Sequence, residues 1–318
     1  WTGCSSFHPC PYRTVQVNSN WKPKKLEPVL NLRKRLFLDP DSLAVLEFTR
    51  KIIPILRKEK FDIIVPWNNG WQTLLCKFSN VGKVVVVGQS GLGWDDRINL
   101  YLFPDCFVGF TKAQINWARR VNPLVKTEII PNGVDLKKFK PEGQEVKINL
   151  PRPIILCVAA LVPMKRQHLA IKAVAQLKVG SLLLLGKGES KDKLQELGDK
   201  LLPGRFKIIE SQYSEIDKIY RSVDLLTFPT SFYESFGIVQ LEAMATNLPL
   251  VVNDDPIRRE IVGDAGFVVN PENTQKYANT LEIALNTRWG SIPQKRAEYF
   301  SYDLISEKYK KLFEEISK

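Results

Sequence analysis

The sequence predicts an α/β protein built from two consecutive doubly wound domains, and three observations lead there. Short, wholly apolar segments such as Lys83–Val87, Ile154–Ala159 and Ser181–Leu185 recur between amphipathic stretches of helical length. Strands of that kind belong to parallel sheets covered on both faces. The alternation breaks once, at residues 131–150, where turn formers and charges gather, and then restarts. The length, 318 residues, suits two domains of roughly 150 residues each.

Taken in order, Asp39-Pro40 supplies an N-cap and N1 pair for an amphipathic helix running towards Lys60. Pro54 is expected to interrupt or kink that helix. Phe61–Pro66 reads as a buried strand, Trp71–Phe78 as a short helix, Lys83–Val87 and Cys106–Phe110 as strands, Thr111–Arg120 as a helix and Thr127–Ile130 as a strand. After the break come strand Ile154–Ala159, helix Lys165–Lys178, strand Ser181–Leu185, helix Lys191–Leu201 and strand Phe206–Ile209. Helix Ser214–Arg221, strand Leu225–Phe228, helix Ile238–Thr246 and strands Leu250–Val252 and Phe267–Val269 follow. Helices near Thr274–Leu285 and Leu304–Ile316 finish the chain. The expected domains are 1–143 and 144–300, with a C-terminal helix at 301–318 packing back on the first.

Composition excludes several classes. With 44% hydrophobic and 25% charged residues, the chain is neither disordered nor fibrous. Its longest apolar run, Ile154–Val162, is far short of the roughly 20 residues of a membrane-spanning helix. Five scattered cysteines (Cys4, Cys10, Cys76, Cys106 and Cys157) form no CxxC pair and point to a reducing compartment; Cys4 and Cys10 are read as unbridged. Two histidines, His8 and His168, make a histidine-based catalytic metal site improbable, and His168 reads as a solvated helix residue. The net charge of +12 is uneven: residues 1–150 carry 23 basic and 13 acidic side chains, residues 151–318 carry 23 and 21. A basic first half suits an anionic partner. Lys22, Lys24, Lys25, Arg33, Lys34, Arg35, Arg57, Lys58 and Lys60 are the candidates, against the plain alternative of a solvated surface. Nothing resembles a helix-turn-helix, an RNP motif or a zinc finger, so no nucleic acid is expected.

The most informative segment is residues 230–245, TSFYESFGIVQLEAMA. Glu234 precedes a helix and Glu242 lies within it; between them Phe236, Gly237, Ile238 and Val239 offer amides at a helix start, where unpaired donors and the dipole favour an anion. Gly237 allows close backbone approach. Amides for phosphate and carboxylates for hydroxyls together fit a sugar phosphate. By themselves the two glutamates read first as a loop charge, Glu234, and a solvated helix residue, Glu242. Asp95-Asp96 and Asp254-Asp255 lack DxD spacing, the latter reading as a turn before Pro256, and the Gly186–Gly188 turn lacks the third glycine of a dinucleotide fingerprint.

In context the segment resembles the E-x7-E motif of retaining GT-B glycosyltransferases, glycosyltransferase family 4 in particular. IPNGVD at 130–135 with Phe139 and Pro141, VDLLTFP at 223–229, EIVGDAG at 260–266 and SLLLLGKG at 181–188 follow that family's pattern in its order. The resemblance covers roughly residues 60–318. It implies two Rossmann-like domains facing across a cleft, and an enzyme of hexosyltransferase type that moves a sugar from a nucleotide-diphosphate sugar without metal or other cofactor. It implies that Glu242 binds the ribose, that Glu234 binds the donor sugar, and that the amides of Phe236–Val239 hold sugar and diphosphate. Lys165 would meet the pyrophosphate, and Gly186 and Tyr213 would lie near the base.

Three departures qualify the resemblance. Ala160 stands where the family usually has arginine, and Arg166 is the candidate replacement. Ser90, with Gln89 and Gly91, stands near a family histidine and offers an acceptor wall, or simply a glycine-rich turn. The opening Trp1-Thr2-Gly3 resembles the end of a second strand, so a first strand-helix unit and its glycine-rich loop are expected to be missing, unless the first domain is a shortened variant. A non-catalytic nucleotide-sugar binder and a GT-B epimerase remain as alternatives. The acceptor is expected to be a glycan, a lipid-linked molecule or a polysaccharide precursor. The expected location is cytoplasmic, with peripheral contact at the inner face of a membrane left open.

Overall fold

A computed structural model describes residues 37–67, 69–231 and 234–318. Cys4, Cys10, His8, the opening Trp1-Thr2-Gly3 and the six basic candidates from Lys22 to Arg35 lie outside the described residues. The chain forms two compact units: one holds residues up to 108, with 118–128 and 313–318, and the other holds 109–117 and 129–312. Among the described residues no helix is long and apolar enough to cross a membrane.

In the first unit α1 (Pro40–Glu59) begins where Asp39 accepts from the Ser42 amide at 3.2 Å, and it ends at Lys60 in a left-handed conformation, φ 53°. The helix runs through Pro54, contrary to the expected interruption: the proline forfeits one bond to the Arg50 carbonyl, and the flanking turns hold the helix across it. A four-stranded sheet follows in the order β1 (Ile63–Ile64), β2 (Lys83–Val87), β3 (Cys106–Gly109), β4 (Thr127–Ile129). β3 and the middle of β2, Val84–Val86, are buried, whereas β1 is only two residues long and half-buried, less than the buried strand expected from Phe61–Pro66. α2 (Gly70–Phe78), α3 (Trp94–Tyr101) and α4 (Lys112–Val121) connect them, residues 109–117 counting with the second unit. The segment around Gln89–Gly91, expected as an acceptor wall or a glycine-rich turn, leads directly into α3, which has Asp95 and Asp96 in its first turn.

The second unit is a six-stranded, all-parallel sheet ordered β10-β9-β8-β5-β6-β7. Its strands are β5 (Ile154–Val158), β6 (Ser181–Leu185), β7 (Phe206–Ile209), β8 (Leu225–Phe228), β9 (Leu250–Asn253) and β10 (Gly266–Val269). The four inner strands, β9, β8, β5 and β6, are buried along their whole length, which is why they are apolar without alternation. Helices α5 (Gln167–Val174), α6 (Lys191–Leu201), α7 (Ile216–Arg221), α8 (Val239–Ala245), α9 (Pro256–Val262), α10 (Thr274–Asn286), α11 (Ile292–Glu298) and α12 (Tyr302–Ser317) complete it, the last turn of α12 counting with the first unit. One core cluster joins Ile155, Leu182, Leu225 and Val251 of the sheet to Ala170, Ile171 and Val174 of α5 and to Tyr277 and Leu281 of α10. Burial pushes the Cys157 thiol up to about 12, as expected of a structural cysteine.

Two segments differ from expectation here. The helix expected over Lys165–Lys178 is split: Pro163–Lys165 is a 3-10 turn, Arg166 is left-handed at φ 52°, and α5 starts only at Gln167. Asp254-Asp255 is not a free turn: Asp255 caps α9, accepting from the amides of Ile257 and Arg258 at 2.9 and 3.0 Å, with Pro256 at N1.

Candidate functional site

Read from its start, the second sheet has the order 3-2-1-4-5-6, so consecutive strands wind outwards in opposite directions from β5 and β8. Ligands of such sheets bind beyond the carboxyl ends of the strands at this reversal. The loop after β5 carries Lys165, and the loop after β8 carries Glu234. Their ammonium and carboxylate groups meet in an ion pair with side-chain exposures of 18% and 13%. Lys165 Nζ also lies 5.7 Å from the ring centre of Phe228, the last residue of β8. The structure thus brings together the two side chains that the sequence analysis placed on diphosphate and sugar, at the point where the topology opens a crevice.

Arg166 is held differently from its expected place on the diphosphate. Its left-handed backbone turns the side chain onto the β8 exit, where Nε donates to the Pro229 carbonyl at 2.8 Å and an Nη donates to the Thr230 carbonyl at 2.6 Å. The other Nη donates to Glu272 at 3.1 Å. The guanidinium therefore braces the loop that leads to Glu234.

The sequence analysis missed Arg258. This fully buried side chain on α9 donates from both Nη atoms to the Glu234 carbonyl, each at 2.8 Å. One Nη also lies 3.4 Å from Asp255, which in turn accepts from Asn253. A charged residue three positions after a cap reads in sequence as a surface ion pair, so nothing in the pattern marks it as interior.

Gly237 adopts φ +81°, and a Cβ there would lie 2.7 Å from both the Phe228 ring and Gln240 Nε2. Its glycine is thus required by its own conformation and packing. α8 begins directly after it: the Gln240 amide reaches the Gly237 carbonyl at 3.1 Å and the Leu241 amide the Ile238 carbonyl at 2.8 Å. The amides of Gly237, Ile238 and Val239 lie ahead of that ladder, as at any helix start. Phe236 is buried, with its ring 5.6 Å from that of Phe110.

Glu242 is only 4% exposed, which overturns the solvated-helix alternative. It accepts from the Tyr220 hydroxyl at 2.8 Å, and the Tyr213 hydroxyl is a second donor. Burial raises its carboxyl above the usual range, against the two phenols and Lys138, which pull it down. Tyr213, at the start of a 3-10 turn, has Lys138 Nζ 3.5 Å from its ring centre and its ring 6.1 Å from that of Phe139. Gly186 directly follows β6 at φ +154°, where a Cβ would sit 2.0 Å from the Ala159 carbonyl oxygen. This contact lets the turn after β6 lie flat against the loop containing Ala160, and the Leu161 amide then bonds to the Lys187 carbonyl at 2.9 Å. In the first unit, Gln89 is exposed and Gly91 buried after β2, and Ser90 Oγ accepts from the Asp96 amide at 3.1 Å, helping to start α3. Among the described residues no three His, Cys, Asp or Glu side chains gather as a metal site.

Residues 139–302 match the family of glycosyl transferases group 1. The chain belongs to that family. This glycosyltransferase is 25% identical to the lipopolysaccharide core biosynthesis glycosyltransferase LpsE of Rhizobium meliloti, over 94% of this chain and 88% of that one. It is 26% identical to the putative glycosyltransferase EpsF of Bacillus subtilis, over 76% and 71%. Among solved structures, sucrose-phosphate synthase from Thermosynechococcus elongatus superposes with a TM-score of 0.77 at 20% identity, over 93% of this chain and 82% of that one. Anabaena HepE in complex with UDP gives 0.72 at 19%, over 86% and 84%. At these identities the likeness speaks for the fold: the glycosyltransferase has the GT-B architecture of two Rossmann-like domains.

Proposed function

We propose that this glycosyltransferase transfers a hexose from a nucleoside-diphosphate sugar with retention of anomeric configuration and without metal, as in glycosyltransferase family 4. The observation that carries the reading is the Lys165–Glu234 pair at the β5/β8 reversal. Breaking the bond between sugar and diphosphate leaves negative charge on the departing oxygen. A preorganised ammonium and the amides ahead of α8 stabilise that charge as it develops. In this reading Lys165 leaves Glu234 for the diphosphate when the donor binds, and Glu234 turns to the sugar hydroxyls. Glu242, fixed by Tyr220 and Tyr213, accepts from the ribose diol. The uridine nucleotide bound by the HepE structure supports a nucleotide donor, and the GDP-mannose-dependent mannosyltransferase of Corynebacterium glutamicum, 28% identical over 48% of this chain, keeps guanosine in view.

The test is release of nucleoside diphosphate from UDP-glucose, UDP-N-acetylglucosamine, GDP-mannose and ADP-glucose, with cell extract as the acceptor source. Turnover of at least one donor, undiminished by EDTA, and a product NMR spectrum with the donor's anomeric configuration are expected. Binding without turnover would favour a non-catalytic binder, epimerised donor would favour an epimerase, and loss of activity with EDTA would remove the metal-free mechanism.

We also place the anionic or lipid-linked acceptor, and contact with an acidic membrane surface, on the basic first half. Arg57 and Lys60 line a pocket of about 460 Å³ with Lys77, Lys83, Asp62 and Asp105. Each basic side chain near an anionic leaflet contributes about 1 kcal/mol. Sedimentation with phosphatidylglycerol-containing vesicles is expected at low salt and not with neutral vesicles; equal binding to both would sink the assignment.

A further inference from the structure

We infer that Arg258 is a positioning residue for the transfer reaction: from inside the fold it sets the backbone of Glu234, and Asp255 holds it in place. The inference rests on the reading of Glu234 as the group that meets the donor sugar.

The need for such a residue follows from the local backbone. Glu234 lies in the loop between β8 and α8, outside any ladder, so its polar backbone groups need partners of another kind. Its amide donates to the Ser231 carbonyl at 3.1 Å, and its carbonyl receives both Nη donors of Arg258. Its carboxylate meets Lys165. Three directions are thereby fixed from three places: the loop itself, the loop after β5, and α9. Arg258 supplies the only one of these anchors that comes from the β9 side of the sheet among the bonds described. A guanidinium is costly to bury without a counter-charge. Asp255 supplies that charge while already bound to the first turn of α9 through two amides, so the guanidinium is tied to a rigid helix start. The bidentate donation to a single carbonyl, with α9 itself anchored on the sheet, resembles a strut more than a packing filler. A lysine at this position would reach with one compact ammonium and lose the fork.

A strut of this kind acts on turnover more than on affinity. Misplacing a reacting group by about 1 Å can cost on the order of 100-fold. Glu234 keeps its other anchors when Arg258 is removed, so a smaller loss is expected. With the full chain and the best donor of the panel above, Arg258→Met should lower kcat about tenfold and leave KM for the donor and Kd for the nucleoside diphosphate within about twofold. Glu234→Gln/Arg258→Met should be no slower than Glu234→Gln alone, because a residue acting through Glu234 has nothing left to position. A merely structural arginine would instead give additive losses. If Arg258→Met fails to fold because the buried Asp255 loses its counter-charge, Asp255→Asn/Arg258→Met removes both charges, and with the fold regained it should show the same loss of kcat, about tenfold. Wild-type kcat in folded Arg258→Met or in folded Asp255→Asn/Arg258→Met, or additive losses in Glu234→Gln/Arg258→Met, would each overturn the assignment. A harmless Glu234→Gln would sink the underlying reading of the site instead, and this proposal with it.

Discussion

Replacing Lys165 with alanine is expected to lower kcat by roughly 100- to 1,000-fold, about 3–4 kcal/mol of barrier, the cost of removing one preorganised donor to a developing anion. Three observations set the size of this effect. Lys165 stands at the only sheet position where the winding direction reverses among the described strands of the second unit. Its Nζ is largely shielded from water and already paired, so the cation is desolvated before any donor arrives. Arg166, the neighbouring cation, is committed to the carbonyls of Pro229 and Thr230 and cannot take its place without releasing the loop that bears Glu234. Steady-state release of nucleoside diphosphate from the best donor checks the prediction. Affinity for the free nucleoside diphosphate should fall by much less, since the charge that Lys165 answers in the transition state is only partly present in the ground state. An Arg166→Ala variant as damaged in phosphate binding as Lys165→Ala would show that both cations reach the donor. A Lys165→Ala variant within a few fold of wild type would remove Lys165 from the chemistry.

Much of this arrangement was legible in the sequence, for a physical reason. β5, β6, β8 and β9 are buried on both faces, so their code is an uninterrupted apolar run that no surface element imitates. The loops after those strands carry Lys165 and Glu234, and once the strands are fixed the loops fall at their carboxyl ends. What the sequence reading lost lies where a local signal had two meanings. Asp39-Pro40 reads as cap and first turn, and α1 starts there. Asp255-Pro256 carries the same signature, and α9 starts there although the paired aspartates before a proline read equally as a turn. α3 was hidden by the glycines before it, although Asp95 and Asp96 mark its first turn as acidic residues do near a helix start.

Other features had no signal at all. Pro54 lies inside a helix because flanking turns and tertiary packing override one lost hydrogen bond, a balance that the residue itself does not reveal. The break at Arg166 is likewise silent, since a left-handed arginine is stabilised by where its guanidinium lands and not by its neighbours in the chain. The same holds for Arg258, whose interior position depends on Glu234, 24 residues earlier. The elements could be read from periodicity, whereas the struts between their loops are purely tertiary.

Glu242→Gln carries the second large effect, and it separates affinity from stability. A carboxylate accepting from a ribose diol is a charged hydrogen-bond acceptor, worth about 1.5–3 kcal/mol, so the variant should bind its nucleoside diphosphate roughly 10- to 100-fold more weakly in calorimetry. The fold, by contrast, gains. Burial raises the Glu242 carboxyl above its ordinary value, so the native state favours the protonated form. The stability that goes with that preference is fully present below the unfolded-state value and is lost as pH rises through the folded one. Above its folded-state value the wild type carries an ionised buried carboxylate that the glutamine variant lacks, while the amide oxygen can still accept from Tyr220. The melting temperature of Glu242→Gln is expected to equal or exceed that of wild type at pH 7.5, with the difference shrinking as the pH falls towards the ordinary carboxylate range. A variant that binds nucleotide normally would remove Glu242 from the donor site. One that is less stable at pH 7.5 would mean that the two tyrosines stabilise the charge by more than burial opposes it. Weaker binding together with undiminished stability is the pattern of a residue kept for its ligand at the expense of the fold.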